Sequence, residues 1–239
     1  MATREKIPLV ARVVHVGRDE MTRRIFLLSP ASCSGERARV LLREAAAFPL
    51  AVRLRQEGAP LGEVFSFLSG LYFRGKLAYA RRFSAGSPEL ASTFVITPTR
   101  GLLSPDASVT AEDLREFASV PIDHRSERYR VPLERDVREL ARRLPAAGEA
   151  VLLGSIATAK YVDVLSAALG SRLVFPADFA GRGDMSRGGL LLRSAREGRE
   201  LGYVAIDAGA RHGPRPPKLA PLPRPTARRA PSGASRQEP

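Results

Sequence analysis

EAVLLGSIATAKYVDVLSAALGSRLVFPADFAGRGDMSRGGLLLRSAREG, residues 149–198, decides the fold. It holds two short apolar runs, EAVLLGS (149–155) and SRLVFPA (171–177), each followed by a stretch of helical spacing. The first helix spans ATAKYVDVLSAALG (157–170) and the second MSRGGLLLRSAREG (185–198), each ended by a glycine. Neither run alternates with polar residues. Runs of that kind suit strands covered on both faces, as in a parallel sheet whose crossover helices lie above and below it.

The same pattern extends outward. RRIFLLS (23–29) and STFVITPT (92–99) read as strands, and ELGYVAI (200–206) as the last one. ERARVLLREAAAF (36–48) has helical spacing and should end at Pro49. Residues 50–70 are irregular. LYFRGKLAYARRF (71–83) is amphipathic and helical despite Gly75. SVTAEDLREFA (108–118) offers Thr110 as an N-cap, and PLERDVRELARRL (132–144) offers Pro132 as a first helical residue. VARVVHVG (10–17) reads as an antiparallel edge strand. The expected fold class is α/β, a three-layer α/β/α sandwich with a mostly parallel central sheet.

Composition sets bounds on partners. The chain has 239 residues, 44% of them hydrophobic and 26% charged, enough for an ordinary core. No apolar run is long enough to cross a membrane, and MATREKIPLVARVV lacks the apolar stretch of a secretory leader. The single cysteine, Cys33, excludes an internal disulfide and fits a reducing cytoplasm. The three histidines, His15, His124 and His212, are far apart in sequence, so no metal site is expected. The net charge is +13, of which +6 falls in residues 211–239. That tail holds eight prolines and almost no large apolar residues, so it is expected to be disordered, leaving an α/β domain over 1–210. The charge is almost entirely arginine, since lysine occurs only as Lys6, Lys76, Lys160 and Lys218. A basic chain attracts polyanions.

Ligands of open α/β sheets bind beyond the carboxyl ends of the strands. Four loops there are SPASCSGER, PTRGLLSPD, GSIATAK and DFAGRGDMSRGG, all rich in Gly, Ser, Thr and Arg. Ser32, Cys33 and Ser34 precede a helix start, where a thiol of lowered pKa would be a nucleophile; the other reading of Cys33 is a small buried residue. Histidine side chains are suited to proton transfer near neutrality, and His124 is the one to consider, against the reading of an exposed loop residue. Tyr72, Arg74 and Lys76 form either a platform for a base or phosphate, or an amphipathic helix with solvated cations. In 181–193, Gly183, Gly188 and their neighbours allow a tight turn with Asp184 or Ser186 as helix cap. Alternatively, Arg182, Ser186, Arg187 and the glycine backbone hold an anion, or the arginines meet an acidic partner. Two glycines in a helix start cost about 1 kcal/mol each, which close approach of a ligand or another backbone would offset. The Walker A and GxGxxG patterns are absent.

The order of these motifs resembles an uncharacterised family of small bacterial and archaeal proteins. Ser32, Cys33 and Ser34 match an SCSKSK-like loop, Ser69 to Tyr79 a YTSPLFRKARAYAE-like helix, and Thr99 to Asp106 a KHGLLDPD-like loop. The resemblance covers roughly residues 23–200. That family is similar to α/β domains of the uracil-DNA-glycosylase-like class and to the archaeosine synthase core domain. The resemblance implies a site for a nucleobase or nucleotide at the strand ends. Departures are Gly35-Glu36 in place of basic residues, and Thr99-Arg100 in place of Lys-His. No GQDPY-like motif is present, so glycosidase chemistry is not carried over.

The sequence therefore leads to a nucleotide-binding cytoplasmic protein that takes a nucleotide, nucleobase or nucleic-acid end at its strand termini, as a ligand or as the substrate of a hydrolase or base transferase. Ser32, Ser34, Tyr72, Arg74, Arg100, Arg182, Gly183, Ser186, Arg187 and Gly188 would line the site, with Cys33 and His124 as catalytic candidates. No cofactor is indicated. The alternative is a non-catalytic interaction module whose basic tail contacts nucleic acid or an acidic partner.

Overall fold

A computed structural model describes residues 23–84, 92–156, 159–206 and 217. The expected edge strand at 10–17, His15, His212 and the tail apart from Pro217 lie outside the described residues. The apolar runs form β1 (Arg24–Leu28), β3 (Thr93–Ile96), β6 (Glu149–Leu153) and β7 (Leu173–Pro176). These four are parallel, in the order β3-β1-β6-β7. Antiparallel β4 (Leu102–Leu103) and β8 (Tyr203–Ala205) close the two edges. A separate two-residue pair joins β2 (Ala59–Pro60) to β5 (Ser108–Val109). Ile25 to Leu28 and Ala150 to Leu153 are fully buried, so side chains on both faces of the central strands are covered. The sheet is mostly parallel and the class is α/β, as the uninterrupted apolar runs require.

The connections place the helices. Between β1 and β3 come α1 (Glu36–Leu42), α2 (Pro49–Gln56), α3 (Leu61–Ser69) and α4 (Leu71–Phe83). From β3 the chain returns past β1 to β6 through α5 (Ala111–Ala118) and α6 (Glu127–Arg143). Then come α7 (Ala159–Leu169), before β7, and α8 (Asp184–Glu197), before β8. Right-handed crossovers running in opposite directions along a sheet lie on opposite faces. Accordingly α4 packs on β1 and α8, while α6 packs on α7 and β4.

Two helix boundaries differ from the expected ones. The helix from Glu36 stops at Leu42, and Pro49 starts α2 at its first turn. Proline has no N–H to lose there. The Arg55 guanidinium holds the intervening turn by donating to the carbonyls of Arg43 (3.1 Å) and Ala46 (2.7 Å). Likewise α6 begins at Glu127, five residues before Pro132, which lies inside it. Fully buried Tyr129 anchors that extra turn, and its hydroxyl donates to the carbonyl of Lys160 at 2.9 Å. Thr110 does cap α5, in a reciprocal capping box with Asp113. Residues 50–70, irregular in sequence, hold most of α2 and α3.

No helix among the described residues is long and apolar enough to cross a membrane.

Candidate functional site

The carboxyl ends of β1, β3 and β6 open into one cleft of about 740 Å³. Neighbouring strands here send their connections to opposite faces, which leaves a crevice between them. Ser29, Ser32, Cys33 and Ser34 contribute from the β1 end, Pro98 from β3 and Ser155 from β6. Phe117 to Ile122 close one side, Leu68, Ser69 and Tyr72 another, and Lys160, Tyr161 and Asp184 the third. Six of the lining residues are serines, and the lining cation is Lys160. Tyr72 and Tyr161 are buried, and burial raises the pKa of both phenols, that of Tyr72 to about 12. The Tyr72 hydroxyl is buried near the Arg187 guanidinium, which favours its ionised form and so works against the effect of burial. The Lys160 ammonium sits over the Tyr161 ring, 5.3 Å from its centroid.

The least expected feature lies behind the cleft-lining Ser29. Lys76 on α4 is 1% exposed. Its Nζ donates to the Ser29 carbonyl (2.5 Å) and contacts Ser29 Oγ at 2.9 Å. The rings of Tyr72 and Phe73 flank it at 4.5 and 4.9 Å. Burial lowers its pKa to about 7, although the charge of Asp184 works in the other direction. Opposite Ser29 stands Gly154, where a Cβ would lie 2.9 Å from Ser29 Cβ.

Of the residues expected from sequence, Ser32, Cys33, Ser34 and Tyr72 meet in the cleft. Cys33 is not an activated thiol. It is 6% exposed, and desolvation pushes its pKa up to about 12, because a thiolate there would lose its water. His124 is not among the cleft-lining residues; its Nδ1 lies 3.6 Å from Asp123 Oδ1. Arg74 is exposed beside a separate groove with Arg37 and Met185. Arg100 borders another groove, pairs with Asp113 (2.5 Å) and Glu116 (2.6 Å), and covers the Phe117 ring.

The 181–193 stretch is mainly structural, and only Asp184 of it lines the cleft. Arg182 donates to the carbonyls of Asp178 and Pro217 and to Ser186 Oγ, which occupies both Arg182 and Ser186. Arg187 is 7% exposed and donates from Nε (3.3 Å) and Nη2 (3.1 Å) to the Phe179 carbonyl. The expected cap by Asp184 or Ser186 does not form. Gly183 is the N-cap, in extended conformation and without a side-chain bond to the helix. The helical glycines serve backbone contact. A Cβ on Gly188 would lie 2.8 Å from Tyr72 Cα, and one on Gly75 would lie 2.6 Å from the Gly188 carbonyl oxygen. α4 and α8 therefore cross with their backbones touching, and the neighbouring backbone offsets the cost of glycine.

Sequence reasoning passed over Ser29, Ser155, Lys160 and the burial of Lys76. A signal was present. In a chain with 38 basic residues of which four are lysine, one of the four lines this cleft and another is bonded to a serine that does. Among the described residues no group of three or more His, Cys, Asp or Glu side chains is placed to hold a metal ion. Comparison of the chain with protein-family models, with curated proteins and with solved structures gave no significant match.

Proposed function

We propose that the chain binds a nucleotide, or the terminal nucleotide of a nucleic-acid strand, in the cleft at the ends of β1, β3 and β6. The observation that carries this reading is the cleft's lining: six serines and Lys160 facing buried aromatic walls at the carboxyl edge of the sheet. Serine hydroxyls both donate and accept, which suits sugar hydroxyls, phosphate oxygens and base edges. Lys160 lies in the first turn of α7, where its charge adds to the positive end of the helix. Tyr72, Tyr161 and Phe117 supply the apolar surface a base needs, and the Tyr72 hydroxyl adds a polar group within it. The volume, about 740 Å³, falls in the range of small-molecule sites. The motif resemblance and the +13 net charge favour the same ligand class.

Thermal unfolding of the full chain against nucleobases, nucleosides, nucleotides and short oligonucleotides tests the reading. A nucleotide at about 100 times its dissociation constant should add about 2.7 kcal/mol. Lys160→Ala should weaken that ligand about tenfold, as expected for loss of one charge-assisted contact. Millimolar nucleotides that leave the midpoint unmoved would rule the proposal out.

A further inference from the structure

Ser29 and Lys76 form an unusual pair. An ammonium buried against neutral oxygens and ring faces loses its hydration with no opposite charge in contact. Among the described residues no carboxylate reaches Lys76 at ion-pair distance; its hydrogen-bond partners are the two oxygens of Ser29. A tether for the end of β1 does not require a lysine. An amine within 2.9 Å of a hydroxyl that opens on a cleft is, in contrast, the geometry of an activated nucleophile. As an ammonium, Lys76 donates to both oxygens of Ser29; once deprotonated it can keep one N–H on the Ser29 carbonyl and turn its lone pair to the Oγ proton across the same 2.9 Å. Gly154 keeps the space beside Ser29 Oγ clear, since a Cβ there would lie 3.2 Å from that atom.

We propose that Ser29 and Lys76 are a nucleophile and general base, and that this pair cleaves a carboxylic ester or amide bound in the cleft. Ser29 Oγ bonds to the carbonyl carbon while its proton passes to Lys76 Nζ and the C=O π pair moves onto oxygen. The adduct collapses, the bond to the leaving group breaks, and the Lys76 ammonium returns the proton to the departing alkoxide or amine. A water then gives a proton to Lys76 and attacks the acyl-serine. Ser29 leaves the acid product and recovers the proton. The net reaction is ester or amide plus water to acid plus alcohol or amine. This activity goes beyond nucleotide binding and does not depend on it.

The charged group that acts on Lys76 is Asp184 on α8; Arg187 on α8 acts on neighbouring Tyr72, and Lys160 on α7 lines the same cleft. Tyr72 on its own helix, Tyr161 on α7 and Cys33 beyond β1 are held protonated by burial. α3 carries Glu63, which is paired with Arg53.

The full chain is treated with a fluorophosphonate probe, and the labelled residue is mapped by peptide mass spectrometry. Hydrolysis of a p-nitrophenyl ester is followed in parallel. The expected result is a label on Ser29, formed at a rate that rises with pH about a midpoint near 7. Ser29→Ala should lose it. Lys76→Met, which fills the same buried volume with an apolar chain, should slow it by about 100-fold or more. Folded wild-type chain with no label on Ser29, a label on Ser32 or Ser34 instead, or a folded Lys76→Met chain labelled at the wild-type rate would overturn the proposal.

Discussion

Lys76 and Arg187 sit on two helices that touch, are 1% and 7% exposed, and end in opposite situations. Arg187 spends its planar fork on one carbonyl, that of Phe179. It also lies over the Phe179 ring at 5.3 Å and keeps Asp184 within 3.9 Å. Lys76 reaches two oxygens of one serine and two ring faces. The first arrangement satisfies a charge that guanidinium cannot give up. The second favours surrender of the proton. Burial of a cation is thus structural where a fork meets a carbonyl, and chemically poised where a point charge meets a hydroxyl.

The pH dependence of stability is where the two should part most widely. The unfolded chain keeps the lysine proton up to the ordinary 10.5, while the native chain releases it near 7. Across that window the unfolded state binds more protons, so native stability rises with pH. The raised pKa of the buried tyrosines opposes the trend only near and above about 10, where tyrosines of the unfolded chain ionise and those of the native chain do not. Lys76→Met should therefore stabilise the chain by about 3 kcal/mol at pH 6 and flatten the rise between pH 7 and 10. Urea melts at a series of pH values read both effects. A wild-type profile already flat over that range would mean that Lys76 keeps its charge and that the contrast with Arg187 is empty. Arg187→Met should go the other way, losing about 1–2 kcal/mol at any pH in that range, because it removes the charge-assisted donors and leaves the buried Phe179 carbonyl with the Arg182 amide alone.

The crossing that brings both cations together should be nearly as sensitive. Gly188→Ala places a methyl 2.8 Å from Tyr72 Cα, against backbone that cannot rotate away. Overpacking costs about 1–3 kcal/mol, and alanine returns about 1 kcal/mol in helix propensity, so the net loss should be about 0–2 kcal/mol, toward the upper end because the contact is with backbone. Denaturant midpoints check it. Because Tyr72 lines the cleft, the same change should also weaken ligand binding there, which a surface alanine elsewhere on α8 should not do.

This dependence on helix contact separates what was legible in the sequence from what was not. The central strands were legible because uninterrupted apolar runs have few alternatives to a doubly covered sheet. The cleft's position followed from the strand-end rule, and the loop carrying Ser32, Cys33 and Ser34 does line it. Pro49 misled because a proline tolerates a helix start as readily as it marks an end, and Pro132 because buried Tyr129 anchors a turn of α6 ahead of it, beyond the first turn where proline costs nothing. The two-residue β4 had too few residues to carry a period. Lys76 looked solvated because helical spacing reports one buried face. α8 buries a second face of α4, and only the paired Gly75 and Gly188 hint at it. The arginine-rich loop before α8 resembled an anion cradle because donors are visible in sequence while their intramolecular acceptors are not.

The smallest effects belong to those misleading arginines. Arg182 already donates to the carbonyls of Asp178 and Pro217 and to Ser186 Oγ, and Arg100 to Asp113 and Glu116. Arg100 is about two-fifths exposed, and surface pairs of its kind contribute about 0–1 kcal/mol. Neither residue lines the cleft. Arg182→Ala and Arg100→Ala should each move stability by no more than about 0.5 kcal/mol and leave nucleotide affinity within about twofold. Isothermal titration on the two variants beside Lys160→Ala makes the comparison direct. A larger loss with Arg182→Ala than with Lys160→Ala would shift the anion from the serine cleft to the start of α8. It would show that the hydrogen bonds now closing on Arg182 open when a ligand arrives.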